Sequence, residues 1–317
     1  MIRMRRQASM SDQDTIELVE TKLQRVSADH ILDLYTGFDE QERNCIALIT
    51  KTVPTPANMY LLKPSQEIDV HVRTRLDGQS ALVISLQAAR SSELFEKFKQ
   101  DIIESSSRLQ SATQGLPFIA KRYSSWQKLF LHANSGKLSL KEIKGLFGEL
   151  FFLESKMIPR YGHKEALDSW IGLDGTDQDF RIDDTWYEVK TTTSGNPLVK
   201  ISSIEQLDCS QIGFLVVLSV DQTSPSDDGA KTIAELVREI TTILSVDGYD
   251  DEFIDLLREH GYCDLEEYDQ YHFKTGSMNC YVVDSNFPAL RRSEVKYSEI
   301  VNAVYQLDVS SLQTTDI

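Results

Sequence analysis

The stretch GTDQDFRIDDTWYEVKTTT, residues 175–193, decides the fold because it predicts a two-stranded hairpin with its chemistry on one face. A two-residue turn at its centre would pair Asp179 with Glu188 across the ladder. Side chains alternate faces along a strand, so Glu188 and Lys190 share one face and Val189 points to the other. Like charges directly opposite each other destabilise a sheet. The pairing therefore predicts a cation between the two carboxylates, for which a divalent metal would serve, or a shifted pKa on one of them.

The turn of this hairpin leaves a simpler account open. It would consist of Asp183 and Asp184, which is not the Asn-Gly or Asp-Gly pair that tight hairpins favour. A longer turn would offset the register and separate the two opposed carboxylates. The simpler account is an acidic, solvated hairpin in which Lys190 merely pairs with Glu188.

Length and composition predict a folded protein without membrane contact. The chain has 317 residues, of which 41% are hydrophobic, enough for a sizeable core and for two domains or one domain with additions. No apolar run approaches the about 20 residues of a membrane span, and the N-terminus lacks the apolar segment of a signal peptide. The four cysteines are widely spaced, which argues against a zinc site or a disulfide framework. We therefore expect a cytoplasmic protein with reduced thiols.

The net charge of −16 is unevenly distributed along the chain. Residues 211–317 carry 7 basic and 20 acidic groups, whereas residues 120–210 carry 12 and 13. The near-neutral middle would tolerate DNA or RNA over a local basic patch, so charge neither supports nor excludes a nuclease. The acidic end is predicted to be a solvated face, and docking of a basic partner is the alternative.

Composition divides the chain into four parts. Residues 1–20 are predicted to be a flexible N-terminus, 21–118 an N-terminal α+β domain, 119–245 a central core, and 246–317 an acidic C-terminal extension packed on that core. The boundary between the N-terminal domain and the central core is predicted from SSSRLQSATQGLP, residues 105–117, which is rich in Ser, Gly and Pro turn formers.

Hydrophobic periodicity predicts the elements of each part. In the N-terminal domain, MYLLKP, IDVHVRTRL and ALVISLQA predict strands and SSELFEKFKQDIIESSS predicts a helix. The central order is a helix at SLKEIKGLFGELFFLESKM, a strand at LDSWIG, the hairpin, a helix at ISSIEQLD with a Ser202–Glu205 capping box, and a strand at IGFLVVLSV. Helices at TIAELVREITTILS and DDEFIDLLREHGY and strands at MNCYVVDS and AVYQLDVS follow. The core order is therefore αβββαβ.

The first central helix carries another acid. Ser139 and Glu142 form a capping box at its start, and Glu149 lies at the edge of its apolar stripe. Gly145 and Gly148 each cost about 1 kcal/mol in a helix interior, which suggests that a strand or a ligand backbone approaches closely on the Glu149 side. The stripe comprises Ile143, Leu146, Phe147, Leu150, Leu153 and Met157.

These features together resemble the PD-(D/E)XK nuclease superfamily: the order αβββαβ, a helix Glu, and an Asp followed nine residues later by Glu-x-Lys. GLFGELFFL, QDF, YEVKTT, ISSIEQL and FPAL are similar to PD-(D/E)XK motif proteins encoded beside methyltransferase and ATPase genes in bacterial defence islands. The likeness spans roughly residues 120–310. It implies an α/β (α+β) fold with a restriction-endonuclease-like αβββαβ core and a mixed sheet.

The resemblance also implies a site. Asp179 and Glu188 match the two metal-binding acids, Lys190 the motif lysine and Glu149 the acid of the first helix, while the Val189 backbone carbonyl would be a further ligand. Such oxygen ligands suit Mg²⁺ or Mn²⁺. The implied activity is metal-dependent endonucleolytic hydrolysis of DNA, with RNA as the alternative, in restriction or anti-phage defence. The implied partners are an ATPase, a methyltransferase or a second copy in a homodimer.

Two other functions remain open on the sequence. A catalytically inactive nuclease fold would serve as a structural, partner-binding subunit of a defence complex. A carboxylate-based hydrolase of another substrate would use Glu149 and Glu188 as acid and base, but it gives Lys190 no clear task.

The match departs from the motif in one place, because Gln178 stands where the motif has proline. Asp177 or Asp174 would be the ligand if the register slips. Buried hydrogen bonding is the favoured role for Gln178 and Gln206. The remaining candidates are expected to be surface histidines or mostly core tryptophans, namely His163, His132, Trp126, Trp170 and Trp186.

Overall fold

A computed structural model describes residues 23–132, 137–171, 177–208 and 211–317, with the side chains of 131 and 132 left out. Its contacts divide the chain into two units, Met1–Gly136 and Lys137–Ile317. In the part of the chain that is described, no helix is long and apolar enough to cross a membrane.

The first unit is built on an antiparallel five-stranded sheet in the order β1-β2-β3-β5-β4. Its strands are β1 Leu23–Arg25, β2 Asp33–Phe38, β3 Asn44–Thr50, β4 Ile68–Thr74 and β5 Ser80–Leu86. Its helices are α1 Pro56–Leu61, α2 Ser92–Ser106 and α3 Gly115–His132. The strands predicted at IDVHVRTRL and ALVISLQA and the helix predicted over SSELFEKFKQDIIESSS are confirmed as β4, β5 and α2.

The predicted strand MYLLKP is wrong, because its first half lies in α1 and the rest forms no strand. Thr55 caps this helix: its hydroxyl accepts from the Asn58 N–H at 3.2 Å, and the Asn58 side chain accepts from the Thr55 N–H at 3.1 Å. Pro56 follows at the first helical position, where its missing N–H costs nothing. The helix cap at Thr55 therefore decides the local structure, although the apolar run favours a strand.

The turn-rich segment 105–117 joins two helices within the first unit, so the division between units falls farther along than the sequence indicates. Ser111 starts a short turn by accepting from the Thr113 N–H at 3.3 Å, and α3 begins directly after that turn. Helix α3 then packs on α2, where Phe98 contacts Trp126 edge-on and Asp101 accepts from the Trp126 indole at 2.7 Å. These contacts keep α3 with the first unit.

The second unit contains a four-stranded mixed sheet in the order β10-β9-β7-β6. Strand β7 runs parallel to β9, and the other two pairs are antiparallel. A separate two-stranded sheet pairs β8 with β11. The strands are β6 Phe180–Ile182, β7 Thr185–Thr192, β8 Leu198–Ile201, β9 Gly213–Gln222, β10 Phe273–Val283 and β11 Tyr305–Asp308. The helices are α4 Leu140–Phe152, continued by a π-helical turn at Leu153–Met157, then α5 Ile158–Tyr161, α6 His163–Ser169, α7 Ile233–Ser245 and α8 Asp250–Glu259.

The mixed sheet is covered on both faces. Tyr187 and Val189 of β7 pack into the core formed with α4, α7 and α8, as the hairpin pattern predicts. Trp186 of the same strand lies in a second core with β8 and β11. The C-terminal third therefore supplies both a sheet strand, β10, and a core helix, α8, so it is more than an extension packed on the core.

The predicted fold class is confirmed, but two of the elements from which the order αβββαβ was built are wrong. LDSWIG is not a strand, because α6 continues to Ser169 and only Trp170 forms an isolated bridge to Phe180. ISSIEQLD is not a helix, and its place in the order is taken by α7. The core order is therefore α4, β6, β7, β9, α7 and β10.

The glycines of α4 differ in what surrounds them, although both were expected to mark a close approach. A Cβ on Gly148 would lie 2.3 Å from Cγ2 of Thr191 in β7, whereas a Cβ on Gly145 would have nothing within 4 Å. Only Gly148 is required for the contact between helix and sheet.

Alanine at these two positions should shift stability in opposite directions. Gly145→Ala is expected to stabilise the protein by about 1 kcal/mol, since alanine favours the helix and meets no neighbour. Gly148→Ala is expected to destabilise it by about 1–3 kcal/mol, because the new methyl group overlaps Thr191. Urea unfolding of both variants measures the difference, and a stabilising Gly148→Ala would show that the helix shifts freely on the sheet.

Candidate active site

The hairpin of β6 and β7 adopts the register that the sequence predicts. Phe180 pairs with Tyr187, Arg181 with Trp186, and Ile182 with Thr185. The turn begins with Asp183 at φ 50°, in the left-handed region that aspartate tolerates better than most residues. This register places Asp179 and Glu188 opposite each other across the hairpin.

Asp179 lies just before β6 and is tied to both neighbouring segments. Its Oδ2 accepts a hydrogen bond from the Val189 N–H of β7 at 2.7 Å. Its backbone carbonyl accepts from the Ile171 N–H at 3.0 Å. The carboxylate is thereby held against β7 next to Glu188.

Glu188 is fully buried, so the solvated hairpin of the simpler account is not what forms. Its Oε1 accepts from the Lys190 ammonium, and the Lys190 side chain is itself only 17% exposed. Its Oε2 is buried and has no hydrogen-bond partner within the described residues. A buried carboxylate oxygen without a partner carries a full desolvation cost, so this oxygen is a candidate ligand for a cation.

Glu149 projects from α4 toward the same group of charges. Its Oε2 accepts from the Trp170 indole N–H at 3.1 Å, and Nε2 of His260 lies 3.9 Å from the same oxygen. Asp179 is close enough to raise the pKa of Glu149, and Glu149 in turn raises that of Glu188. The helix acid and the hairpin acids therefore belong to one electrostatic cluster.

Burial and mutual repulsion shift the protonation of this cluster. Burial, followed by repulsion from Asp179, raises the pKa of Glu149 to about 8 and that of Glu188 well above its usual value. Burial also raises the pKa of Asp179. Burial opposes charging of Lys190, but the surrounding carboxylates outweigh it and raise the pKa of Lys190, so its ammonium stays protonated. One ammonium thus faces three carboxylates.

The residues fit a hard divalent cation in charge and in ligand chemistry. Carboxylate and carbonyl oxygens are the ligands that Mg²⁺ and Mn²⁺ prefer, and the excess negative charge would be neutralised by such an ion. Among the described residues, no three Asp, Glu, His or Cys side chains are grouped to hold a metal ion, so the side chains alone do not form a complete metal site.

The alternative residues take other roles. Gln178 is buried and donates to the Glu205 carbonyl at 2.8 Å, as expected for a structural glutamine, and Gln206 accepts from the Ser202 N–H at 2.8 Å. Asp177 is exposed, and Asp174 lies outside the described residues. His163 lies 2.8 Å from Asp247.

The three tryptophans are buried core residues, in line with the expectation for most of them. The indole of Trp126 donates to Asp101, that of Trp170 to Glu149, and that of Trp186 to the Gln211 carbonyl. The side chain of His132 lies outside the described part. His260 was not among the sequence candidates, and no local pattern marks it, because it approaches Glu149 only through the packing of α8.

The comparisons with known proteins support the family that the sequence resembles. A family model with the description "Putative PD-(D/E)XK family member, (DUF4420)" matches residues 5–310. No curated protein and no solved structure matches the chain.

Proposed function

The chain belongs to the DUF4420 family of PD-(D/E)XK proteins, and from that premise we propose that it is a metal-dependent endonuclease that hydrolyses phosphodiester bonds in DNA. The observation that carries the proposal is the cluster of Glu149, Asp179, Glu188 and Lys190, in which Glu188 is fully buried and its Oε2 has no partner among the described residues. A structural cluster of this kind would be expected to neutralise its own charge. An excess of buried carboxylate instead suits a site completed by a cation.

Asp179, Glu188, Glu149 and the Val189 carbonyl would hold Mg²⁺ or Mn²⁺. The ion, when bound, would supply Lewis-acid chemistry at the scissile phosphate. The Val189 N–H fixes one oxygen of Asp179, which leaves the other oxygen available as a ligand. The chain thereby orients its acids before any ligand arrives, and this lowers the cost of binding.

Lys190 is suited to act on the substrate rather than on the metal. Its raised pKa keeps the ammonium charged, and the Glu188 carboxylate holds it within the site. A charged donor in a water-poor site stabilises negative charge on a phosphate more strongly than it would in water. We assign Lys190 to the charge that develops on the scissile phosphate or to the orientation of the attacking water.

The finer points of the proposal rest on the resemblance alone. They are a role in bacterial defence, work in the cytoplasm, a partner ATPase or methyltransferase, and two-strand cutting by a homodimer. Cys45 and Cys280 are buried free thiols, which agrees with a reducing compartment.

One observation favours a second candidate, a catalytically inactive structural subunit. Asp179 and Glu188 each already have one oxygen satisfied inside the protein, by Val189 and Lys190 respectively. Such internal partners would stabilise the fold without a metal. The structural subunit would retain its partners when Lys190 is replaced.

The test is cleavage of supercoiled plasmid by the purified protein in Mg²⁺ and in Mn²⁺, beside Glu188→Gln prepared identically. We expect nicked or linear product only with a divalent cation, and a loss of roughly 10²–10³-fold in Glu188→Gln. Equal cleavage by both proteins would indicate a contaminating nuclease. If the wild type cleaves neither plasmid nor RNA, with or without its co-purifying proteins, the structural-subunit function replaces the proposed one.

A further inference from the structure

Glu149 is held by a residue that the PD-(D/E)XK motif does not include. Trp170 lies directly after α6, and its buried indole N–H donates to Glu149 Oε2 at 3.1 Å. The next residue, Ile171, donates its backbone N–H to the Asp179 carbonyl at 3.0 Å. Two consecutive residues thus contact two separate acids of the site.

The plane of the Trp170 indole is fixed by α8. The ring of His260 stacks on Trp170 with centroids 3.9 Å apart and an angle of 17° between the planes. His260 is anchored through its Nδ1, which lies 2.9 Å from the Leu256 carbonyl one helical turn earlier. The rings of Phe180 and Phe253 also lie close to Trp170, with centroids 6.4 and 6.1 Å away. The indole therefore has little freedom to turn away from Glu149.

We propose that Trp170 and His260 are positioning residues of the metal centre, and that α8 in the acidic C-terminal third acts through them to orient Glu149. This inference rests on the proposed function, because it concerns the same site. It assigns to the C-terminal third the orientation of Glu149, which none of the motif residues provides. Outer partners of ligating groups commonly change metal affinity by about 10–100-fold when removed.

The geometry explains why a hydrogen bond is needed at this position. Glu149 has flexible side-chain torsions, and in a cluster that includes Asp179 and Glu188 its carboxylate would turn away to reduce repulsion. The Trp170 N–H opposes this by holding Oε2 at a fixed point. The other oxygen, Oε1, would then serve as the ligand in the proposed metal centre.

The first test compares Trp170→Phe with Trp126→Phe. Trp126 is a matched control, because its buried indole also donates to a carboxylate, Asp101, but in the first unit. Mn²⁺ binding is measured by electron paramagnetic resonance and by the shift in melting temperature, and the Mn²⁺ concentration for half-maximal cleavage is measured in parallel. We expect Trp170→Phe to weaken Mn²⁺ binding about 10-fold and Trp126→Phe to leave it unchanged.

The outcomes separate the inference from the proposed function. If the wild type binds no Mn²⁺, the proposed metal centre itself is wrong. If the wild type binds Mn²⁺ and Trp170→Phe binds it as tightly as Trp126→Phe does, only the positioning role is wrong. In a Glu149→Gln background Trp170→Phe should add nothing further, and an additional loss there would show that Trp170 does not act through Glu149.

Two substitutions test whether His260 acts through its flat ring or through its nitrogen atoms. His260→Phe keeps a flat ring on Trp170, and we expect Mn²⁺ affinity within about threefold of the wild type. His260→Ala removes the stack, and we expect a loss similar to that of Trp170→Phe. Far-ultraviolet circular dichroism confirms that each variant is folded. Unchanged Mn²⁺ affinity in folded His260→Ala would overturn the role of α8.

Discussion

Lys190→Met is expected to reduce DNA cleavage by roughly 10²–10³-fold and to lower the free energy of unfolding at neutral pH by about 3–5 kcal/mol. Methionine keeps an unbranched apolar chain of nearly the same length and removes the ammonium group with its charge and hydrogen-bond donors. The activity falls because no ammonium remains at the scissile phosphate. The stability falls because Glu188 is fully buried and loses the cation that balances it. A surface lysine of an acidic hairpin would give a stability change below about 1 kcal/mol.

A double-mutant cycle measures whether the stability loss comes from the pair. Lys190→Met, Glu188→Gln and the double variant are unfolded in urea with EDTA present. We expect the double variant to be more stable than Lys190→Met alone, because it buries no unpaired carboxylate. Added Mn²⁺ should restore part of the stability of Lys190→Met but none of its cleavage. If the changes in unfolding free energy of the two single variants simply add in the double variant, the two side chains do not interact.

The hairpin could be predicted from the sequence because its information is local. Alternation fixes which side chains share a face, and the turn fixes which residues pair, so the face of Val189 and the pairing of the two strands were predicted correctly. The depth of burial could not be predicted in this way. Glu188 and Lys190 are polar residues, and residue type alone does not indicate that they are buried. Their face of the sheet is enclosed by β8 and β11, which come from later in the chain.

The helix expected at ISSIEQLD shows how a distant partner overrides a local signal. Glu205 was expected to reach back to the Ser202 N–H, but its side chain pairs with Arg292 instead. Gln206 accepts from the Ser202 N–H in its place, and Gln178 donates to the Glu205 carbonyl. A capping box lowers the energy of one conformation by only about 1 kcal/mol, so it does not by itself decide the structure of this segment.

The same limit applies to the surroundings of Glu149. Its helix, its cap and its position beside the apolar stripe follow from spacing alone, and all are present in α4. Trp170 and His260 carry no signal of their role, since Trp170 was expected to pack in the core and His260 directly follows the amphipathic helix α8. A motif search finds the acids of such a site, whereas the residues that orient them are found only from the packing.

The stability of the metal-free protein is expected to fall as the pH rises, and Glu149→Gln should remove part of this fall. The pKa of Glu149 is raised by burial and by Asp179 from 4.5 to about 8, so the folded state binds a proton that the unfolded state releases. Its contribution is fully present below pH 4.5 and is lost as the pH rises toward 8. At roughly 1.4 kcal/mol per pKa unit, the loss amounts to about 3–5 kcal/mol.

Glutamine keeps the shape of the protonated acid and cannot ionise, so Glu149→Gln and the wild type should be similarly stable at pH 5 and diverge toward pH 9. Urea unfolding across this range in EDTA measures the divergence, and the difference between the two proteins cancels the titration of other groups. Saturating Mn²⁺ should flatten the profile of the wild type, because a cation stabilises the ionised carboxylates. Parallel profiles for the two proteins in EDTA would show that Glu149 is ionised in the folded state at neutral pH. The charge of the cluster would then have to be balanced without a proton on Glu149.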